Sequence, residues 1–158
     1  MNHDEDELGG LLVEFVNRVS HPRGRALTFL TKTGVTVDQV ILLNFAHGQP
    51  GSTPSALAAK MNLSLPSVSQ MLERLHKLGL VRRTEDQADR RRKTIGVTAK
   101  ATALLVKFRE VRCDEFRAGT VSLTAATRRN LVSAIKAAVG ELKTIDERSR
   151  RVSEEKQP

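Results

Sequence analysis

The stretch from Ser64 to Lys100, SLPSVSQMLERLHKLGLVRRTEDQADRRRKTIGVTAK, restricts the fold more than any other part of the chain. Leu65, Val68, Met71, Leu72, Leu75 and Leu78 recur at three- and four-residue steps, which sets them on one helical face. Ser64 is a good N-cap, because its hydroxyl accepts from a backbone N–H that the first turn leaves unpaired. Pro66 sits in that first turn, where a missing N–H costs nothing. Gly79 stops the helix, since it turns left-handed without steric cost. Past the glycine the pattern changes. A first strand is predicted over 80–84 and a second over 93–97, with Glu85-Asp86-Gln87-Ala88-Asp89-Arg90-Arg91-Arg92 between them.

The outer face of that helix carries Pro66, Ser67, Ser69, Gln70, Glu73, Arg74 and Lys77. Small hydroxyls allow close approach to base-pair edges, Gln bonds adenine in a bidentate way and Arg does the same to guanine. Taken alone, the helix is equally well explained as an ordinary amphipathic surface helix. The hairpin tips the balance. Arg90, Arg91, Arg92 and Lys93 are four consecutive cations, a self-repelling run that fits a polyanionic partner. Residues 51–100 carry ten Lys/Arg against four Asp/Glu, the densest positive charge in a chain of net +8. A helix for the major groove joined to a basic hairpin for the flanking backbone or minor groove makes a winged helix-turn-helix.

The order of these elements resembles the MarR family of bacterial transcriptional regulators. The residues that carry the likeness are Val68-Ser69-Gln70-Met71-Leu72-Glu73-Arg74-Leu75, Gly79-Leu80-Val81, Asp86-Gln87-Ala88-Asp89-Arg90-Arg91 and Val97-Thr98-Ala99-Lys100-Ala101. The chain has Val-Thr-x-x-Ala where family members often have Leu-Thr-x-x-Gly, and Ala88 where some carry arginine. The resemblance implies a mainly α fold with a small β-wing, the winged helix-turn-helix being flanked by N- and C-terminal dimerisation helices. It implies a homodimer on a pseudo-palindromic double-stranded operator, and a repressor released by a small aromatic or anionic effector, with no required cofactor. On this reading Pro66, Ser67, Ser69, Gln70 and Arg74 face the major groove. Arg90 enters the minor groove, with Asp86 or Asp89 bracing Arg91. Arg92, Lys93, Arg82 and Lys77 contact phosphate, which positions the protein without reading sequence.

The flanking sequence fits this frame. The expected divisions are 1–35 for N-terminal dimerisation helices, 36–100 for the winged unit, 101–147 for C-terminal dimerisation helices and 148–158 for a polar, disordered tail. Leu8, Leu11, Leu12, Phe15, Val16 and Val19 form an apolar stripe on a first helix broken near His21-Pro22-Arg23-Gly24. By resemblance this stripe packs on a partner subunit; by pattern alone it is equally ordinary core. Thr36 and Gln39 form a capping box, Thr53-Pro54 opens the next helix, and Ala56, Ala58 and Ala59 allow a close helix crossing. Thr98 and Thr124 cap the last two helices. In the second of these Leu131, Ile135, Ala138, Leu142 and Ile145 step by four, three, four and three, the spacing of a coiled coil.

Other chemistry has little support. Cys113 is the one candidate for a redox switch. Arg112, Arg109 and Arg117 favour its thiolate, but Glu110, Asp114 and Glu115 offset them, so an inert thiol is expected. His3, His21, His47 and His76 lack metal-ligand spacing, and no catalytic triad or phosphate-binding glycine loop is present, so neither a metal site nor an enzyme is expected. The acidic start, a single cysteine and the lack of a long apolar run lead to the expectation of a cytoplasmic protein with no membrane partner. Two rivals remain: a non-specific architectural DNA binder, and a winged helix used against a partner protein.

Overall fold

The computed structural model describes residues 3–20, 24–85 and 93–155. They form α1 (His3–Val19), α2 (Arg25–Thr33), α3 (Val37–Gly48), α4 (Pro54–Met61), α5 (Leu65–Lys77), β1 (Val81–Glu85), β2 (Lys93–Val97), α6 (Ala99–Gly119) and α7 (Ala125–Glu155). Residues 1–118 and 119–158 make two compact units.

The helix starts follow the local chemistry. The Thr36 hydroxyl accepts from the Gln39 N–H at 3.2 Å and the Gln39 side chain accepts from the Thr36 N–H at 3.1 Å, closing the capping box on α3. Thr53, Ser64, Thr98 and Thr124 each accept from the N–H three residues on, which caps α4, α5, α6 and α7. Helix α2 is capped differently. Its N-cap is Gly24, which has no side chain, and the Glu115 carboxylate of α6 accepts from the Ala26 N–H instead. A Cβ at Gly24 would overlap that carboxylate, so the glycine makes room for the borrowed cap.

In the first unit the core lies under the winged part. Leu42 and Leu43 of α3, Leu57 of α4, Val68, Leu72 and Leu75 of α5, Leu80, and Ile95 of β2 are essentially fully buried together, along with Leu30 of α2 and Ala101 of α6. Of the three alanines expected at the α4 crossing only Ala58 is buried; Ala56 and Ala59 face out. Strands β1 and β2 pair antiparallel, from Val81 opposite Val97 to Glu85 opposite Lys93, so the first strand lies one residue later than the sequence predicts. The Ser52 carbonyl, in the turn between α3 and α4, accepts from the Ile95 N–H at 2.9 Å and ties the hairpin back to the helical core.

In the second unit α7 runs to Glu155, which corrects the expectation of a disordered tail from residue 148. Nothing between Gly140 and Pro158 breaks a helix, and Arg and Glu, which make up most of residues 148–155, are good helix formers. Among the described residues no single helix is long and apolar enough to cross a membrane.

Candidate nucleic-acid interface

Helix α5 is buried on its inner side and exposed on its outer one. Val68, Leu72 and Leu75 are buried, and Met71 and Leu78 are half-buried. Leu65 departs from the pattern: it shares their spacing but is exposed, because the core ends before the first turn. The turn into the helix is tight. Asn62 adopts the left-handed conformation at φ 52°, which Asn tolerates better than most residues, and the Leu63 N–H donates to the Ala58 carbonyl at 3.0 Å. At the far end Gly79 takes φ 70° and its N–H donates to the His76 carbonyl. The Thr98 hydroxyl donates to the Gly79 carbonyl at 2.9 Å and the Lys100 ammonium to that of Leu78 at 2.8 Å, so the start of α6 holds the carbonyl end of α5.

The side chains expected on the outer face have different surroundings. Pro66, Gln70 and Lys77 are exposed and make no hydrogen bond or ion pair among the described residues. The Ser67 hydroxyl is bonded to that of Ser64 at 2.8 Å, and Ser69 is half-buried on the flank. Arg74 donates to the Gly34 carbonyl at 3.1 Å, at the left-handed cap that ends α2. In this form its guanidinium is a strut between α5 and the α2–α3 corner. The neighbouring Glu73 forms an ion pair with Arg83 of β1 at 3.1 Å and links the helix to the wing. Spacing along the sequence does not reveal either tie, because each joins residues of separate elements that only packing brings together.

On the hairpin, Arg82 lies across its partner strand. It pairs with Gly96, and a Cβ there would come within 2.9 Å of the Arg82 Nε, so the glycine gives the guanidinium arm its path. Arg82 and Lys93 are exposed. Thr84 and Thr94, opposite each other in the ladder, also bond through their hydroxyls at 2.9 Å. Asp86, Asp89, Arg90, Arg91 and Arg92 lie outside the described residues.

Two further candidates take their places away from this face. Cys113 is exposed on α6. It borders a cleft of about 560 Å³ between α3 and α6, with Asn44, His47, Phe108, Arg112 and Phe116 among its walls. The Arg112 guanidinium stands 5.3 Å from the Phe116 ring and 5.9 Å from that of Phe108, a cation held on aromatic faces. Among the described residues no group of His, Cys, Asp and Glu could hold a metal ion.

Comparison with known proteins agrees with this geometry. Residues 33–92 match the model of the MarR family. A protein of Thauera aromatica, described as a candidate transcriptional regulatory protein for the hcr operon, is 27% identical over 111 residues, which are 70% of this chain and 67% of that one. Among solved structures, a transcriptional regulator of Thermotoga maritima superposes with a TM-score of 0.68 at 23% identity, covering 93% of this chain and 96% of that one. A MarR family protein of Bacillus stearothermophilus gives 0.68 at 20%, covering 90% and 99%. MepR of S. aureus, in a complex with DNA, gives 0.61 at 24%, covering 74% and 88%. The structural likenesses establish the winged-helix fold.

Proposed function

With residues 33–92 carrying the MarR-family winged helix as premise, we propose that this chain is a sequence-specific, duplex-DNA-binding transcriptional regulator that acts as a homodimer in the cytoplasm. One observation carries the proposal: the outer face of α5 has exposed polar and cationic side chains without protein partners, next to a cationic hairpin braced onto the same helix. Gln70 is the principal base reader, because its amide is unengaged and Gln pairs bidentately with adenine. Pro66 and Ser67 lie alongside it at the helix tip. Arg74 and Glu73 set the angle of the helix against its supports. Lys77, Arg82 and Lys93 contact phosphate. Arg90, Arg91 and Arg92 extend that positive surface by sequence, with Asp86 and Asp89 as their counter-charges.

Dimerisation follows from the two apolar stripes that their own units leave open. Leu8, Leu11, Leu12, Val13 and Val16 of α1 are exposed, and so are Val132, Ile135, Val139, Leu142 and Ile145 of α7. So much exposed apolar surface marks an interaction site. Two-fold pairing of readers then matches a pseudo-palindromic operator. The cleft between α3 and α6 is the place for a small aromatic or anionic effector, with Phe108 and Phe116 as its apolar wall and Arg112 as its cation. An effector that binds one spacing of the readers better than another shifts the DNA-competent population, which is release of a repressor.

Selection of bound duplexes from a random library at near-physiological salt tests the proposal. An enriched inverted repeat with half-sites about one helical turn apart is the expected result. Bound but unsorted duplexes would favour an architectural binder, whose affinity is set by counterion release alone. Recovery of no duplex would favour a protein partner for the winged unit.

A further inference from the structure

The leading tip of α5 is more apolar than a DNA-reading helix needs for solubility or for its own core. Leu65 is 46% exposed and Leu63, just ahead of the N-cap, 42%. Pro66 beside them is exposed as well. The polar groups of the same turn are already engaged: the Ser64 and Ser67 hydroxyls bond each other, and the Ser64 oxygen also accepts from the Ser67 N–H at 3.3 Å. Cα–Cβ bonds tilt toward a helix N-terminus, so the Leu65 side chain projects past the end of the helix, not back over the core.

The first residues of a recognition helix are those that meet base edges in the major groove. Only one apolar group lies on those edges, the C5-methyl of thymine. A protein partner fits this tip less well. Two leucines and a proline offer little area against what a stable protein interface buries, and the polar face that continues from them carries Gln70 and Lys77.

We propose that Leu65 is a specificity-determining residue that reads thymine through its C5-methyl group. This rests on the DNA-binding function proposed above and adds to it a class of base contact that Gln70 does not supply.

The test uses the full chain and the operator recovered by selection, with each thymine replaced singly by deoxyuridine. That change removes the methyl and leaves the O4 acceptor and the base pairing intact. At one or more positions in each half-site, deoxyuridine should weaken the unaltered chain about fourfold, the effect of leaving one buried methyl uncovered. Leu65→Ala should bind the thymine and deoxyuridine forms alike at those positions, while Gln70→Ala keeps the thymine preference. Equal binding of both forms by the unaltered chain at every position would overturn the inference and leave the operator, and so the DNA-binding function, standing. A Leu65→Ala protein that still prefers thymine there would overturn the assignment to Leu65. If no operator is recovered, the sequence-specific function proposed above fails and this inference fails with it. The first comparison involves no variant, so it decides the matter even if Leu65→Ala folds poorly.

Discussion

Helices α5 and α7 are both amphipathic by sequence, and their apolar faces have opposite fates. In α5 the residues Val68, Leu72 and Leu75 are sealed in the core cluster, with α4 and β1 packed against the helix. In α7 the residues Ile135, Leu142 and Ile145, at equally regular steps, are more than half exposed. An apolar stripe therefore says that a face must be covered, and nothing about whether its own chain covers it. The winged unit is complete within one chain. The α7 stripe is left open, as the dimer proposed above requires, and the same contrast separates α3 from α1.

The largest effect is expected where the proposed cover is a second subunit. Replacing Ile135 and Leu142 together by Glu removes two side chains that contribute roughly 1.5–3 kcal/mol each when fully buried, and adds desolvated charge. Sedimentation equilibrium should show the dimer falling to monomer, its dissociation constant raised by at least about a hundredfold. An unchanged mass would break the comparison, since α7 would then not be the element that joins copies.

A smaller loss is expected in the sealed helix. Leu72→Ala leaves a cavity in the packed core and should cost about 2–5 kcal/mol in urea unfolding. The same loss should appear in the monomeric α7 variant, because everything that covers Leu72 comes from its own chain. A cost confined to the dimer would mean that the winged unit is not complete by itself.

The smallest effect sharpens the contrast by using one chemistry in both places. Thr36 caps α3 and Thr124 caps α7, each through a hydroxyl that accepts an N–H three residues on. Thr36→Ala should cost about 1 kcal/mol of global stability. Thr124→Ala in the monomeric variant should speed hydrogen exchange in the first turn of α7 and leave the core amides unchanged, because α7 there is only locally stable. Equally faster exchange across both regions would show them to be one cooperative unit.

Much of this was legible in the residues. The caps at Thr36, Thr53, Ser64, Thr98 and Thr124 and the stop at Gly79 depend on groups within a few positions of each other, and the hairpin on two strands that follow one another in the chain, so local patterns determine them. The family likeness rests on the same short-range patterns and agrees with the match over residues 33–92. Two expectations failed, the first for want of longer-range information and the second because polarity was weighed above helix propensity. Leu65 fits the buried spacing but lies beyond the end of the core, and residues 148–155 have a tail's polarity but remain helical.

The amino-acid sequence by itself determined which segments become helix, strand and turn, and which face of each must avoid water, because backbone propensity and apolar period act over neighbouring residues. Only the tertiary structure decided which side chains are left to act. It ties Arg74 to the Gly34 carbonyl and Glu73 to Arg83, lays Arg82 over Gly96, engages Ser67 with Ser64, and leaves Gln70 and Leu65 facing out. Most of these ties join residues 10 or more positions apart, and Gly34 is 40 positions from Arg74. Such contacts exist only once packing has brought the elements together, and no periodic pattern along the chain encodes them.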